Sequence, residues 1–182
     1  MCFWRNKKSK KARLDPLSVR RFTFNSIPTS MDQFLSLPEA DLRDPFNAAA
    51  LTVLAFCVYP LNRGLTFRMI EYLKGSEILS EKERSSIVLA LSGGKTYIPF
   101  SFFLGAVPEN DYRPDIPYVL EIHDSMVTSG REGERALYVL SGGDPVMRNL
   151  IFQKGKGGVY TLVSQSILGD IAAPKQDNPW AF

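Results

Sequence analysis

The spacing of apolar residues changes once along the chain. From about residue 30 to residue 94 they recur every three or four positions, the spacing of helices; from about 118 to 165 they alternate or run together, the spacing of strands. "SMDQFLSLP" offers Ser30 as an N-cap with Gln33 three residues on, a capping box, and a short helix should stop near Pro38. "RDPFNAAALTVLAFCVYP" follows. Asp44 is a good N-cap, Pro45 suits the first helical position, and Pro60 stops the helix. Only Asn47 and Thr52 are polar between them, so this helix is predicted to be central, with Ala50, Leu54 and Cys57 buried.

Two further helices follow. "LNRGLTFRMIEYLKG" places Leu65, Met69, Ile70 and Leu73 on one face, and Lys74 and Gly75 supply a basic last turn and a left-handed cap. "SEKERSSIVLALSGG" has Ser80 as cap, Glu83 answering it, and Ile87, Val88, Ala90 and Leu91 as buried candidates; Gly93 or Gly94 ends it. "VPENDYRPDIPY" is an irregular connector. Then come strand-like runs. "YVLEIHD" sets Tyr118, Leu120 and Ile122 against Val119, Glu121 and His123, and "RALYVLS" is apolar on both faces, as an interior strand would be. "VMRNLIFQK" and "VYTLVSQ" flank the turn "GKGG", while the loop "SMVTSGREGE" is expected to be mobile. Helices first and strands later predict an α+β domain, with the N-terminal helices packed on one face of a C-terminal antiparallel β-meander of about four strands.

Charge divides the chain unevenly. Residues 1–21 hold eight cations against Asp15, a net of +7, whereas the whole chain is +3 and the remainder is therefore −4. This predicts a basic arm over 1–21 and a single domain over 22–182. In the arm, Arg5, Lys7, Lys8, Lys10, Lys11 and Arg13 follow Phe3 and Trp4, a pattern that could touch anionic lipid or nucleic acid weakly, or simply be solvated. Cys2 and Cys57 cannot form a disulfide framework, and there is no paired-cysteine metal spacing. A reducing compartment, the cytoplasm, is the expectation. "AAALTVLAFCVY" falls well short of the roughly 20 residues of a spanning helix, and "MCFWRNKKSKKARLD" has no apolar stretch to make it a secretory signal, so no transmembrane segment is expected.

"DPFNAAALTVLAFCVYP", "GKTYIPFSFFLGAVPENDYRPDIPY" and "SILGDIAAPKQDNPWA" resemble the signature blocks of an uncharacterised bacterial family, a domain of unknown function. The resemblance covers about residues 30–182. It implies a single intracellular bacterial domain behind a variable N-terminal extension, and it implies no activity, catalytic residue or cofactor. In that family the last strand is usually tryptophan-rich; "VYTLVSQ" has none, which weakens any aromatic surface there.

Candidate chemistry is sparse. "SGGKT" reads like the tail of a phosphate loop, but the position that needs the first glycine is Leu89, and the stretch follows a helix rather than a strand. His123 and Asp124 are neighbours on a strand, so they point to opposite faces. Glu109, Asp111 and Asp115 lie in the connector without the spacing of an EF-hand, no serine sits in a G-x-S-x-G elbow, and Cys57 reads as a small core residue. No catalytic or metal-binding residue is assigned. The densest feature is aromatic: Tyr97, Phe100, Phe102, Phe103 and Tyr112, punctuated by prolines, form either core or a groove for a peptide or protein. The leading expectation is a non-catalytic binding or adaptor domain for a protein or peptide partner. The alternatives are an enzyme of unrecognised type, such as a hydrolase using His123 and the connector acids, or a membrane-surface or nucleic-acid module acting through the arm.

Overall fold

A computed structural model describes residues 18–124 and 132–177. In chain order it contains β1 (Val19–Phe24), α1 (Met31–Leu35), α2 (Pro45–Cys57), α3 (Arg63–Leu73), α4 (Glu81–Ala90), β2 (Tyr118–Asp124), β3 (Glu134–Ser141), β4 (Asp144–Lys154) and β5 (Tyr160–Gln165), with short 3-10 turns between. The strands form one antiparallel sheet in the order β1-β2-β3-β4-β5, and the helices precede β2 in the chain. The fold is α+β.

The helix ends follow local chemistry. The Ser30 hydroxyl accepts from the Gln33 N–H, but the Gln33 side chain reaches past Ser30 to accept from Thr29 N–H at 2.8 Å. At α4 both halves of the box form: Ser80 Oγ accepts from Glu83 N–H, and Glu83 Oε2 accepts from Ser80 N–H at 2.8 Å. Asp44 caps α2 by accepting from Phe46 N–H, and Asn62 caps α3 by accepting from Leu65 N–H, each at 2.9 Å.

α2 is the centre of the core. Every residue from Ala48 to Cys57 is buried, including Thr52, whose hydroxyl donates to the Ala48 carbonyl at 2.7 Å. α3 covers it with Leu65, Met69, Ile70 and Leu73, and the Thr66 hydroxyl ties the two helices by donating to the Ala55 carbonyl. The sheet presents Leu120, Ile122, Leu137, Val139, Leu150, Phe152 and Leu162 to the same core. α4 is more peripheral than its apolar residues suggest: Ile87 and Leu91 are buried, Val88 and Ala90 only half-buried, and Leu89 is exposed.

Two expectations are corrected. The sheet has five strands rather than about four, and the expected boundary after Arg21 falls inside the extra one. β1 pairs with β2 from Val19↔His123 to Phe24↔Tyr118 and buries Phe22 and Phe24. Its two arginines are accommodated: Arg20 lies over the Phe46 ring at 4.4 Å and pairs with Asp44, and Arg21 pairs with its cross-strand neighbour Glu121. The aromatic block itself is built on turns. Lys95–Tyr97 and Pro99–Phe102 are 3-10 turns, followed by a single bridge from Phe103 to Leu120. The loop expected to be mobile lies mostly outside the described residues.

That connector fills a split in the sheet. β2 and β3 pair at His123↔Tyr138 and Asp124↔Leu137. Beyond that point Leu104 N–H donates to the Val119 carbonyl of β2 at 2.8 Å, while Gly142 N–H, just past β3, donates to the Ser101 carbonyl at 2.9 Å. Ser141 and Ser101 join through their buried hydroxyls at 2.9 Å. Ile98, Phe102 and Phe103 are buried within this wedge.

Truncating Leu54 would leave a cavity at the middle of α2. Leu54→Ala should cost about 2–5 kcal/mol in urea denaturation, because the close-packed surroundings relax only in part. A loss below about 1 kcal/mol would contradict the central placement of α2.

Candidate functional site

The structure separates the aromatic block into two groups. Phe102 and Phe103 are buried in the wedge and border a small hollow of about 190 Å³ together with Glu121, His123 and Ser141. Tyr97, Phe100 and Tyr112 meet around a second hollow of about 320 Å³, joined there by Pro60, Asp111, Pro114 and Tyr118. Tyr97 stacks on Tyr112 with ring centroids 5.1 Å apart and planes 9° from parallel. Tyr112 is buried, and its hydroxyl donates to the Ala172 carbonyl at 2.6 Å. Burial, with the nearby Tyr97 and Glu109, pushes that phenol up to about 12.

The expected chemical groups do not converge. Asp124 pairs with Arg135, while His123 borders the small hollow with Glu121, itself paired with Arg21. Asp111 borders the aromatic hollow, with one carboxylate oxygen buried and without a hydrogen-bond partner. Glu109 and Asp115 border neither hollow. Among the described residues no group of three His, Cys, Asp or Glu side chains is placed to hold a metal. Gly93 and Gly94 have φ of +62° and +82° and follow α4, and Lys95 donates to Asp170 at 2.7 Å, so the glycines end a helix and the lysine serves an ion pair. Cys57 is a free core cysteine whose thiol burial pushes upward. Arg5, Lys7, Lys8, Lys10, Lys11 and Arg13 lie outside the described residues.

A larger opening, about 710 Å³, lies elsewhere, between α4 and β5. Its apolar lining comes from Phe56, Ile70, Leu79, Ile87, Leu162 and Leu168, and Lys74, Lys82, Glu83 and Arg148 bring charge to it. Sequence reasoning missed it. Among the described residues β5 ends the sheet, and no strand lies beside its outer edge. Among the described residues the backbone bond made on that side is Tyr160 N–H to the Leu42 carbonyl, at the start of the strand. β5 carries a bulge at Val163, where Phe152 opposes Leu162 but Ile151 opposes Ser164, and Val163 is exposed.

α4 and β5 run side by side in one direction. Gly75, before α4, lies against Thr161 near the start of β5, and Lys74 pairs with Glu83 in the first turn of α4. At the far end Lys95, after α4, pairs with Asp170, after β5. α4 is thereby held at both ends and through Ile87 and Leu91, and the space beside β5 is left open. Hydrogen bonds from Lys74 and Ser80 hold the Glu83 carboxyl down at about 2.

An antiparallel sheet with helices on one face and an open cleft at its edge strand defines the class: an α+β domain with a groove, and among the described residues no helix long and apolar enough to cross a membrane. The chain belongs to a family described as a domain of unknown function (DUF6935), which it matches over residues 26–175. β1 therefore precedes the matched region. No curated protein and no solved structure matches the chain.

Two predictions test this geometry. A Cβ at Gly143 would overlap the Tyr112 hydroxyl, so Gly143→Ala should destabilise by about 1–3 kcal/mol and change the tyrosine band in near-ultraviolet circular dichroism. Wild-type stability and spectrum would refute the contact. The second concerns acid. A carboxyl lowered on folding stabilises the fold above its unfolded value, and that contribution disappears as pH falls. For Glu83 the window runs from 4.5 down to about 2. Glu83→Gln should therefore be less stable at pH 6 and show a flatter loss of stability across that window in urea titrations. Parallel acid limbs for the two proteins would show that Glu83 is not the group responsible.

Proposed function

We propose that this domain is a non-catalytic binding module that takes an extended segment of a protein partner against the outer edge of β5, inside the cleft closed by α4. The observation that carries the reading is an unpaired strand edge bordering a cleft with an apolar floor. An edge strand offers a row of backbone donors and acceptors, and an added segment gains its affinity from those and its specificity from alternate side chains. The bulge at Val163 and the neighbouring helix discourage indiscriminate edge-to-edge pairing, a known liability of open edges. The aromatic hollow around Tyr97, Phe100 and Tyr112 is a smaller, secondary surface for the same partner. On this reading the module works in the bacterial cytoplasm, where the free thiol of Cys57 would stay reduced.

Ser86 is exposed and lines the α4 wall, so a large side chain there should block the cleft without disturbing the core. Peptides selected from a random library on the wild-type domain should alternate apolar residues, and Ser86→Trp should weaken them by at least about tenfold, or about 1.4 kcal/mol, at an unchanged melting temperature. Equal binding by Ser86→Trp would move the site away from β5, and a library that yields no binder would refute the module.

A further inference from the structure

The charges of the cleft are not balanced. Lys74, Lys82 and Arg148 line it against Glu83 alone. Lys74 is paired with Glu83, but Lys82 is exposed and has no ion-pair partner among the described residues. Arg148 donates to the Asp144 carboxylate and to the Asp170 carbonyl, at 2.8 Å for the latter, and its Nε is buried without an acceptor. Asp144 does not line the cleft.

These cations stand at opposite ends. Lys74 and Lys82 belong to the end where α4 begins beside Thr161. Arg148 belongs to the end where β5 runs out, held to the Asp170 carbonyl with Gly169 packed against its guanidinium. They also share a side of the sheet. Arg148 is two residues from Leu150 and four from Phe152, so it projects from β4 toward the helices as those core residues do. The ten residues of α4 span about 15 Å, which approximates the separation of the two ends. Along an extended chain four residues span about 13 Å, and positions i and i+4 point to the same face.

Resting on the edge-strand reading above, we infer that the partner segment is acidic, with Asp or Glu side chains four residues apart facing the helices and apolar residues between them. One carboxylate meets Lys82, and the other meets Arg148. The intervening side chain at i+2 faces the apolar floor of Ile87 and Leu162. A cation stands at each end, so the segment is accepted in either direction along β5.

The test uses synthetic peptides with Glu at two positions separated by two, three, four or five residues, matched peptides with Gln in their place, and fluorescence anisotropy against the full chain. Spacing four should bind best, the Gln form should lose at least about tenfold, and Lys82→Glu should lose a similar factor. Replacing either one of the two peptide glutamates by Lys should restore binding to Lys82→Glu, which separates charge recognition from damage to the fold. Equal binding of Glu and Gln peptides, with Ser86→Trp still blocking both, would overturn the acidic partner while leaving the edge-strand reading intact. No binding by any peptide, together with dimers in sedimentation that Ser86→Trp dissociates, would overturn both and make a second copy of the chain the occupant.

Discussion

Every residue of α2 from Ala48 to Cys57 is buried, and a helix without a polar stripe must be covered on all sides. That requirement organises the rest of the domain. The sheet covers one side with Leu120, Leu137, Phe152 and their neighbours, α3 covers another with Leu65 and Met69, and the wedge around Ile98 and Phe102 closes a third. The Thr52 and Thr66 hydroxyls that enter this core are each satisfied by a helix carbonyl, Thr52 on Ala48 and Thr66 on Ala55. α4 reaches the core through Ile87 and Leu91, and the cleft lies between it and β5.

The wedge and the cleft are two answers to the same geometric problem. A sheet of five strands has two edges and, here, a split between β2 and β3. The split is filled from within the chain, by residues that bond to both strands and bury their aromatic rings. The β1 edge lies beside arginines with acid partners, Arg20 with Asp44 and Arg21 with Glu121, and charge on an edge deters pairing. The β5 edge has an apolar floor beside it instead. This contrast between a plugged gap, a charged edge and an open one is the physical basis for proposing β5 as a binding edge.

Much of the helical half was legible because its signals are local. Ser80 and Glu83 lie three residues apart and find each other as soon as the turn forms, and Pro45 and Pro60 bracket α2 through their own backbone restrictions. β1 was illegible because Arg20 and Arg21 continue a run of cations, and what makes them strand residues is Phe46, Asp44 and Glu121, each distant in sequence. The aromatic block was legible as a dense cluster but not as a division of labour. Phe102 and Phe103 face the wedge, whereas Tyr97 and Phe100 stay half exposed, and that depends on the 3-10 turns that Pro99 introduces between them. The cleft had no motif at all. Its one trace is that α4 mixes Lys82, Ser85 and Ser86 with exposed Leu89, a weakly amphipathic pattern that fits a helix touching the core along a narrow line.

The pairing of β1 with β2 also bears on how the chain reaches its fold. Arg21 and Glu121 are 100 residues apart in sequence, so β1 is synthesised long before the strand it needs exists. Until then Phe22 and Phe24 have no sheet to enter, and closing so long a loop carries an entropic cost that only late contacts repay. The helical layer, with its short-range contacts, can condense first, leaving β1 to complete the sheet from its outer margin. Between the synthesis of β1 and that of β2 a nascent chain would therefore carry Phe22 and Phe24 unsheltered, a natural point of engagement for chaperones that recognise apolar segments.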